Sequence, residues 1–148
     1  MPVYFYVQRN SNFDIRGDPI PFDLALVNEG NAMDLTSGIF TAPVTGIYFF
    51  SFAGLASSSK IAPYNLLLGV GFYLNGVYSG VGYTADENIA ASQYFSPLTI
   101  QSTLNLKKGD QVWAGIVAMG SGSFLADNSI HFNHFTGFMM EEEIVSSL

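Results

Sequence analysis

Along most of this sequence apolar side chains recur at every second residue, and no segment keeps a 3.6-residue apolar period over two turns. Such a pattern buries one face of extended segments and offers no amphipathic helix a stripe to bury. The clearest run is 98–106, where Leu98, Ile100, Leu104 and Leu106 share a face with Ser102 while Thr99, Gln101, Thr103 and Asn105 take the other. Lys107-Lys108-Gly109-Asp110 then supplies a turn, and 111–119 begins a second run with Val112, Ala114, Ile116 and Ala118 on one side. Asn75-Gly76 separates the apolar runs 66–74 and 77–83, and both residues tolerate the positive φ of a type I′ hairpin turn. Segment 47–53 places Tyr48, Phe50 and Phe52 opposite Ile47 and Phe49, which predicts a central strand buried on both faces. Adding 3–7, 21–27, 39–40 and 135–140 brings the count to eight to ten short strands. An all-β sandwich or barrel follows.

The composition bears on assembly. At 148 residues the chain is long enough to bury about two-thirds of its unfolded surface, so it needs no disulfide or metal staple, and it has no cysteine. Hydrophobic residues make up 49% and charged residues only 11%, where about 25% charged is usual. Subunit interfaces would bury the excess, because obligate interfaces resemble a core cut in half. Net charge is −7, and the cations are Arg9, Arg16, Lys60, Lys107 and Lys108. Nucleic-acid binding needs clustered basic side chains to neutralise phosphates, and none cluster here. No run approaches the ~18 apolar residues of a membrane-inserted helix. The opening Met-Pro-Val-Tyr lacks the basic start and apolar run of a leader, which suits an intracellular protein or an excised domain.

No catalytic constellation emerges, so the chain reads as a binding protein and not an enzyme. Serines are plentiful, but none lies in a Gly-x-Ser-x-Gly elbow. His131 and His134 fall on opposite sides of an extended chain and make no ready metal pair. Gly69-x-Gly71 and Gly80-x-Gly82 lack the third glycine and the helix that phosphate cradling requires, and suit close approach of another backbone instead. Glu141-Glu142-Glu143 reads as a solvated end. Asp86 and Glu87, with Asn88 beside them, are expected in a loop after a strand, where oxygen ligands suit calcium. One loop cannot fill a calcium shell, but a symmetric assembly could present it several times. Asp127-Asn128 forms a second acidic loop of this kind.

One family shares these features. In segment 22–52, Phe22 is followed after five residues by Asn28, and Phe40 after five by Gly46. Gly46-Ile47-Tyr48-Phe49-Phe50-Ser51-Phe52 then forms a Gly-x-Tyr-x-Phe-x-aromatic strand. This segment resembles the signature of complement component 1q globular heads, within the tumour necrosis factor-like jelly rolls. Leu104-x-Leu106 through Trp113 and the closing Phe135-Thr136-Gly137-Phe138-Met139-Met140 resemble the family's C-terminal strands, in the same order. Met33 departs, standing where an aromatic or leucine is usual, an apolar exchange that packing tolerates.

The resemblance implies one domain over 1–148, folded as a ten-stranded antiparallel jelly-roll β-sandwich and assembled as a homotrimer outside the cell. Tyr4, Tyr6, Tyr48, Phe50 and Phe138 are the interface candidates. Three functions fit such a head. It could bind carbohydrate or a microbial surface in innate immunity, act as a cytokine-like or synapse-organiser-like ligand for a receptor protein, or serve as a structural trimerisation module. For saccharide, Tyr64-Asn65 and the stretch from Tyr83 to Asn88 offer aromatic and amide groups together. Acidic residues outnumber basic ones, so an anionic ligand is expected to need bridging calcium.

Overall fold

A computed structural model describes residues 1–144, and every regular element among them is a β-strand. The strands are β1 (Tyr4–Gln8), β2 (Leu24–Glu29), β3 (Met33–Asp34), β4 (Ile39–Thr41), β5 (Gly46–Ser58), β6 (Tyr64–Leu74), β7 (Val77–Ile89), β8 (Ser96–Leu106), β9 (Gln111–Met119), β10 (Ser123–Leu125) and β11 (His134–Glu142). They form two antiparallel sheets stacked as a sandwich. One sheet, here the β5 sheet, runs β2-β1-β11-β5-β8, with β10 continuing beyond β11 along the same edge of β5. The other, the β6 sheet, runs β3-β4-β9-β6-β7.

Strand phase decides what lies between the sheets. Tyr48, Phe50 and Phe52 of β5 point inward with Phe5 and Phe135, and meet Phe40 and Phe72 from the opposite sheet. Phe5 meets Phe135 edge-on with ring centroids 4.9 Å apart, and Phe40 meets Phe50 at 5.3 Å. Each such ring buries a large area, and these contacts add to the area term. Gly137 makes room for this packing, since a Cβ there would collide with the ring of Phe5. The hairpin at Asn75-Gly76 has the positive φ angles expected, 51° and 88°, and Leu74 pairs with Val77 across it.

The described residues form eleven strands against the ten that the resemblance implies; the sequence runs account for nine of them, and the short β3 and β10 carry too few residues to show a period. The second difference is the length of β7. It runs on through Asp86 and Glu87 to Ile89, so these acids belong to a strand and not to the loop that follows one. The third concerns segment 13–20, which closes part of the open edge of β9. The N–H of Gly17 donates to Ile116 O at 3.0 Å, Ile20 N–H to Ala114 O at 2.8 Å, and Arg16 Nε to Val117 O at 3.1 Å.

The two ends of the sandwich differ. The chain start, the 107–110 turn and the hairpin turn share the proximal end. The 59–63, 90–95 and 120–133 connections gather at the distal end.

Candidate recognition groove and subunit face

The distal end of the β6 sheet carries an open groove of about 630 Å³ on its outer side. Asn65 and Leu67 of β6, with Ala85 and Glu87 of β7, form its floor and one wall, while Lys60, Gly120 and Ser121 come from the connections. Alternation along β7 sets the chemistry. Tyr83, Ala85 and Glu87 lie on the open face, and Gly82, Thr84 and Asp86 on the other. Tyr83 is 61% exposed, and its ring lies over Gly69, where a Cβ would sit 2.6 Å from Cε1. Glycine here accommodates a side chain rather than the backbone that the sequence suggested.

A one-residue bulge lies where β7 pairs with the start of β6, since Tyr64 faces Ile89 while Leu66 faces Asp86. Asn88 adopts φ 54° there, and its N–H donates to Asn65 Oδ1 at 3.0 Å. The bulge and this bond hold the Asn65 amide on the groove, with its NH2 directed away from the bond. Lys60, Asp86 and Glu87 are the charged residues of the lining, one base and two acids.

Two of the site expectations are corrected, that for Tyr64 and that for the pair Asp86 and Glu87. Tyr64 borders the groove but belongs to the core at 6% exposure, with its hydroxyl enclosed without a hydrogen-bond partner, so its ring offers little surface to a sugar. Its position on β6 shares the inward phase of Leu66 and Leu68, which a two-residue reading of Tyr64-Asn65 does not reveal. Asp86 and Glu87 do not converge on one ion, because adjacent strand residues project to opposite faces. Asp86 Oδ2 instead accepts the Tyr94 hydroxyl, a bond that holds the Tyr94 pKa above its usual value. No group of three acidic, histidine or cysteine side chains within reach of a metal exists among the described residues. Within one chain these two acids would need further oxygen ligands to hold calcium. Asp127 is also committed. Its Oδ1 accepts the N–H groups of Asn128 and Phe132, each at 2.8 Å, and its Oδ2 accepts Asn133 N and Nδ2, each at 3.0 Å.

The outer side of the β5 sheet is the other large surface. Cross-strand pairing arranges it in rows: Thr103, Phe49, Phe138 and Tyr4; Gln101, Ser51, Thr136 and Tyr6; and Thr99, Ala53, His134 and Gln8. None of these is Lys, Arg, Asp or Glu. Tyr4 and Phe138 remain 43% and 42% exposed, and Phe138 packs on Phe49 with ring centroids 5.2 Å apart. His134 lies edge-on to Tyr6 at 5.6 Å, and burial lowers its pKa against the opposing pull of the Asp127 charge. Tyr48 and Phe50 leave the expected interface set, because both are fully buried within one chain. The one aromatic of β5 in the outward phase is Phe49. Among the described residues this face meets no second layer, so β5 is buried on one side only.

The sequence matches the C1q domain family over residues 4–140. This chain belongs to the C1q domain family. The domain is 30% identical over 143 residues to complement C1q tumor necrosis factor-related protein 3 of Mus musculus, covering 96% of this chain and 52% of that protein. It is 31% identical over 141 residues to the collagen alpha-1(X) chain of Mus musculus, covering 95% of this chain and 19% of that one. With complement C1q tumor necrosis factor-related protein 2 of Mus musculus it shares 34% identity over 122 residues, or 82% and 37% of the two chains. The C1q domain thus spans about half or less of the length of these curated relatives. Among solved structures, the globular domain of zebrafish complement 1qA protein superposes with a TM-score of 0.63 at 23% identity, covering 95% of this chain and 99% of that one, which establishes the jelly-roll fold.

Proposed function

We propose that this C1q domain is an extracellular, non-enzymatic recognition module that assembles as a homotrimer through the outer side of its β5 sheet and binds saccharide in the groove of its β6 sheet. The observation that carries the reading is the set of charge-free rows across β8, β5, β11 and β1 on the outer side of the β5 sheet, bounded by Glu29 of β2 and Glu141, whose exposed aromatic row meets no second layer in a single chain. A face with rings at its centre and charge only at its edge has the composition of an interface core with a polar rim. The groove lies at the distal end on the opposite sheet, so assembly leaves it accessible three times. Tyr83 supplies a ring for the apolar face of a sugar, and Asn65 and Glu87 supply polar groups for its hydroxyls. Each site of this kind is weak, and threefold presentation raises avidity without new contacts. The relatives agree with an extracellular role, since one is named a collagen chain.

The reading is tested by sedimentation of the domain at micromolar concentration, followed by binding to a glycan and microbial-polysaccharide array with calcium and again with chelator. The expected results are a mass of three chains and competable saccharide binding that survives chelation, because Asp86 and Glu87 do not form a cation site in one chain. A mass of one chain overturns the trimer. A blank array overturns saccharide recognition in favour of a receptor protein, and loss in chelator shows that calcium completes its shell in the assembly.

A further inference from the structure

A second distal cavity, of about 560 Å³, lies on the β5 side of the sandwich and shares no lining residue with the groove. Its apolar walls are Leu55, Phe124 and Ala126, flanked by Phe95 and Phe132, which are 50% and 36% exposed. Asn12, Gln93 and Asn128 add amides to the lining. The one charged residue that lines it, Asp127, has both carboxylate oxygens engaged by N–H groups of its own loop, so the cavity offers no unengaged charge of either sign.

The hydrogen bonds of the loop also fix what two of the amides present. Asn12 Oδ1 accepts the N–H of Asp127 at 2.8 Å, and Asn128 Oδ1 accepts the N–H of Ile130 at 2.8 Å. With these oxygens engaged, each amide has its NH2 left to donate, and neither NH2 bonds within the described chain. A ligand carboxylate would find no cation in the lining, and the Asp127 carboxylate is turned to four N–H groups of its own loop rather than to an incoming cation. The complementary group is neutral, with a small apolar part for the phenylalanines and a carbonyl oxygen for the amide donors. Fixed donors beside an apolar floor lower the ordering cost of binding such a group.

We propose that this cavity binds the acetamido group of N-acetylated sugars, its methyl against Phe95 and Phe132 and its carbonyl oxygen accepting from Asn12 Nδ2 and Asn128 Nδ2. The site is distinct from the groove and does not depend on it.

The test titrates the protein with chitotriose and with cellotriose, which share a β-1,4 backbone and differ in bearing a 2-acetamido or a 2-hydroxyl group. Side-chain amide resonances of asparagine report the binding. Chitotriose is expected to shift Asn12 and Asn128, and cellotriose to bind about tenfold more weakly or less, the equivalent of one lost hydrogen bond with its buried partner. Asn128→Asp keeps the oxygen that Ile130 N–H uses and removes the donor, so chitotriose affinity falls by about tenfold while the unfolding midpoint stays in place. Phe95→Ser lowers the same affinity with the assembly mass unchanged, and Tyr83→Ser in the groove leaves the chitotriose-induced Asn128 shift intact. Equal binding of the two trisaccharides overturns the proposal, as does full affinity in Asn128→Asp. A fall in assembly mass in Phe95→Ser also overturns it, since the cavity would then be a contact between copies.

Discussion

The two outer faces of this sandwich are built to opposite rules. On the β6 sheet the chain completes its own surface. Glycines at 69, 71 and 115 are overlain by Tyr83, by Val81 and Val117, and by Tyr73, and segment 13–20 closes part of the β9 edge. Tyr73 stacks on Trp113 at 5.6 Å, and burial beside Tyr78 pushes its hydroxyl pKa up to about 12. The β5 sheet does none of this. Its outer strand positions carry full-sized side chains such as Phe49, Tyr4 and Phe138, and no loop crosses them. The rings over those glycines fill the β6 surface locally while Tyr78 and Tyr83 stay 59% and 61% exposed, whereas the large side chains of the β5 sheet stand in adjoining rows that suit a partner. Local glycine content therefore separates the two, since glycine in a strand makes room for whatever lies over it.

The strongest way to break this contrast is to place a charge at the centre of the open face. Phe138→Asp tolerates solvent in a single chain but desolvates three carboxylates in the assembly, each costing several kcal/mol. The mass by sedimentation is expected to fall from three chains to one, with the β-sheet circular dichroism retained. A trimer that survives the substitution removes the β5 sheet from the interface.

Next in size is a pair of adjacent rings. Phe50→Ala empties a fully buried site and is expected to destabilise the fold by about 3–5 kcal/mol in urea unfolding. Phe49→Ala is expected to lower the stability of the single chain by far less and to weaken assembly instead. Equal losses in unfolding would mean that β5 is covered on both sides in one chain.

On the closed face, Gly69→Ala sets a methyl against the Tyr83 ring, which must move. The expected effect is about 1 kcal/mol of strain and a several-fold loss of saccharide binding in the groove, with the mass unchanged. Unaltered binding on the array would remove Tyr83 from the site.

The smallest effect is a pH dependence at the open face. The pKa of His134 is lowered in the folded chain, so folding and assembly favour its neutral form. Its contribution is fully present above the unfolded value of roughly 6.5 and declines as pH falls from there toward the folded value. Assembly should weaken as pH falls from neutral to pH 5, and His134→Gln should flatten that slope in sedimentation measured across the range. An unchanged slope in the variant assigns the dependence elsewhere.

Much of the architecture was legible in the residues. The 98–106 run has the face assignment expected, with Leu98, Ile100 and Leu106 buried, and 111–119 forms a strand with those bounds. These segments alternate cleanly because one phase is apolar and the other polar. The hairpin was legible for a different reason, since Asn-Gly encodes a backbone conformation directly. The groove was half legible. Asn65 and Glu87 line it, Asn88 braces it and Tyr83 stands farther along the same face of β7, but Tyr64 turns inward and Asp86 is held by Tyr94. The distal cavity gave no signal at all, because Asn12, Phe95 and Asn128 stand far apart in sequence and meet only where three connections converge.

What the sequence determined by itself was period, turn chemistry and the scarcity of charge. Each is a property of residues close together along the chain, and together they require a β-sandwich with an apolar excess. Only the tertiary structure decided phase wherever both phases are apolar. In β5, Phe49 and Phe50 are chemically identical, and register against β8 and β11 alone sends one to the surface and the other to the core. A single-residue shift exchanges every side chain between the faces, so long-range pairing sets which aromatics are offered to a partner.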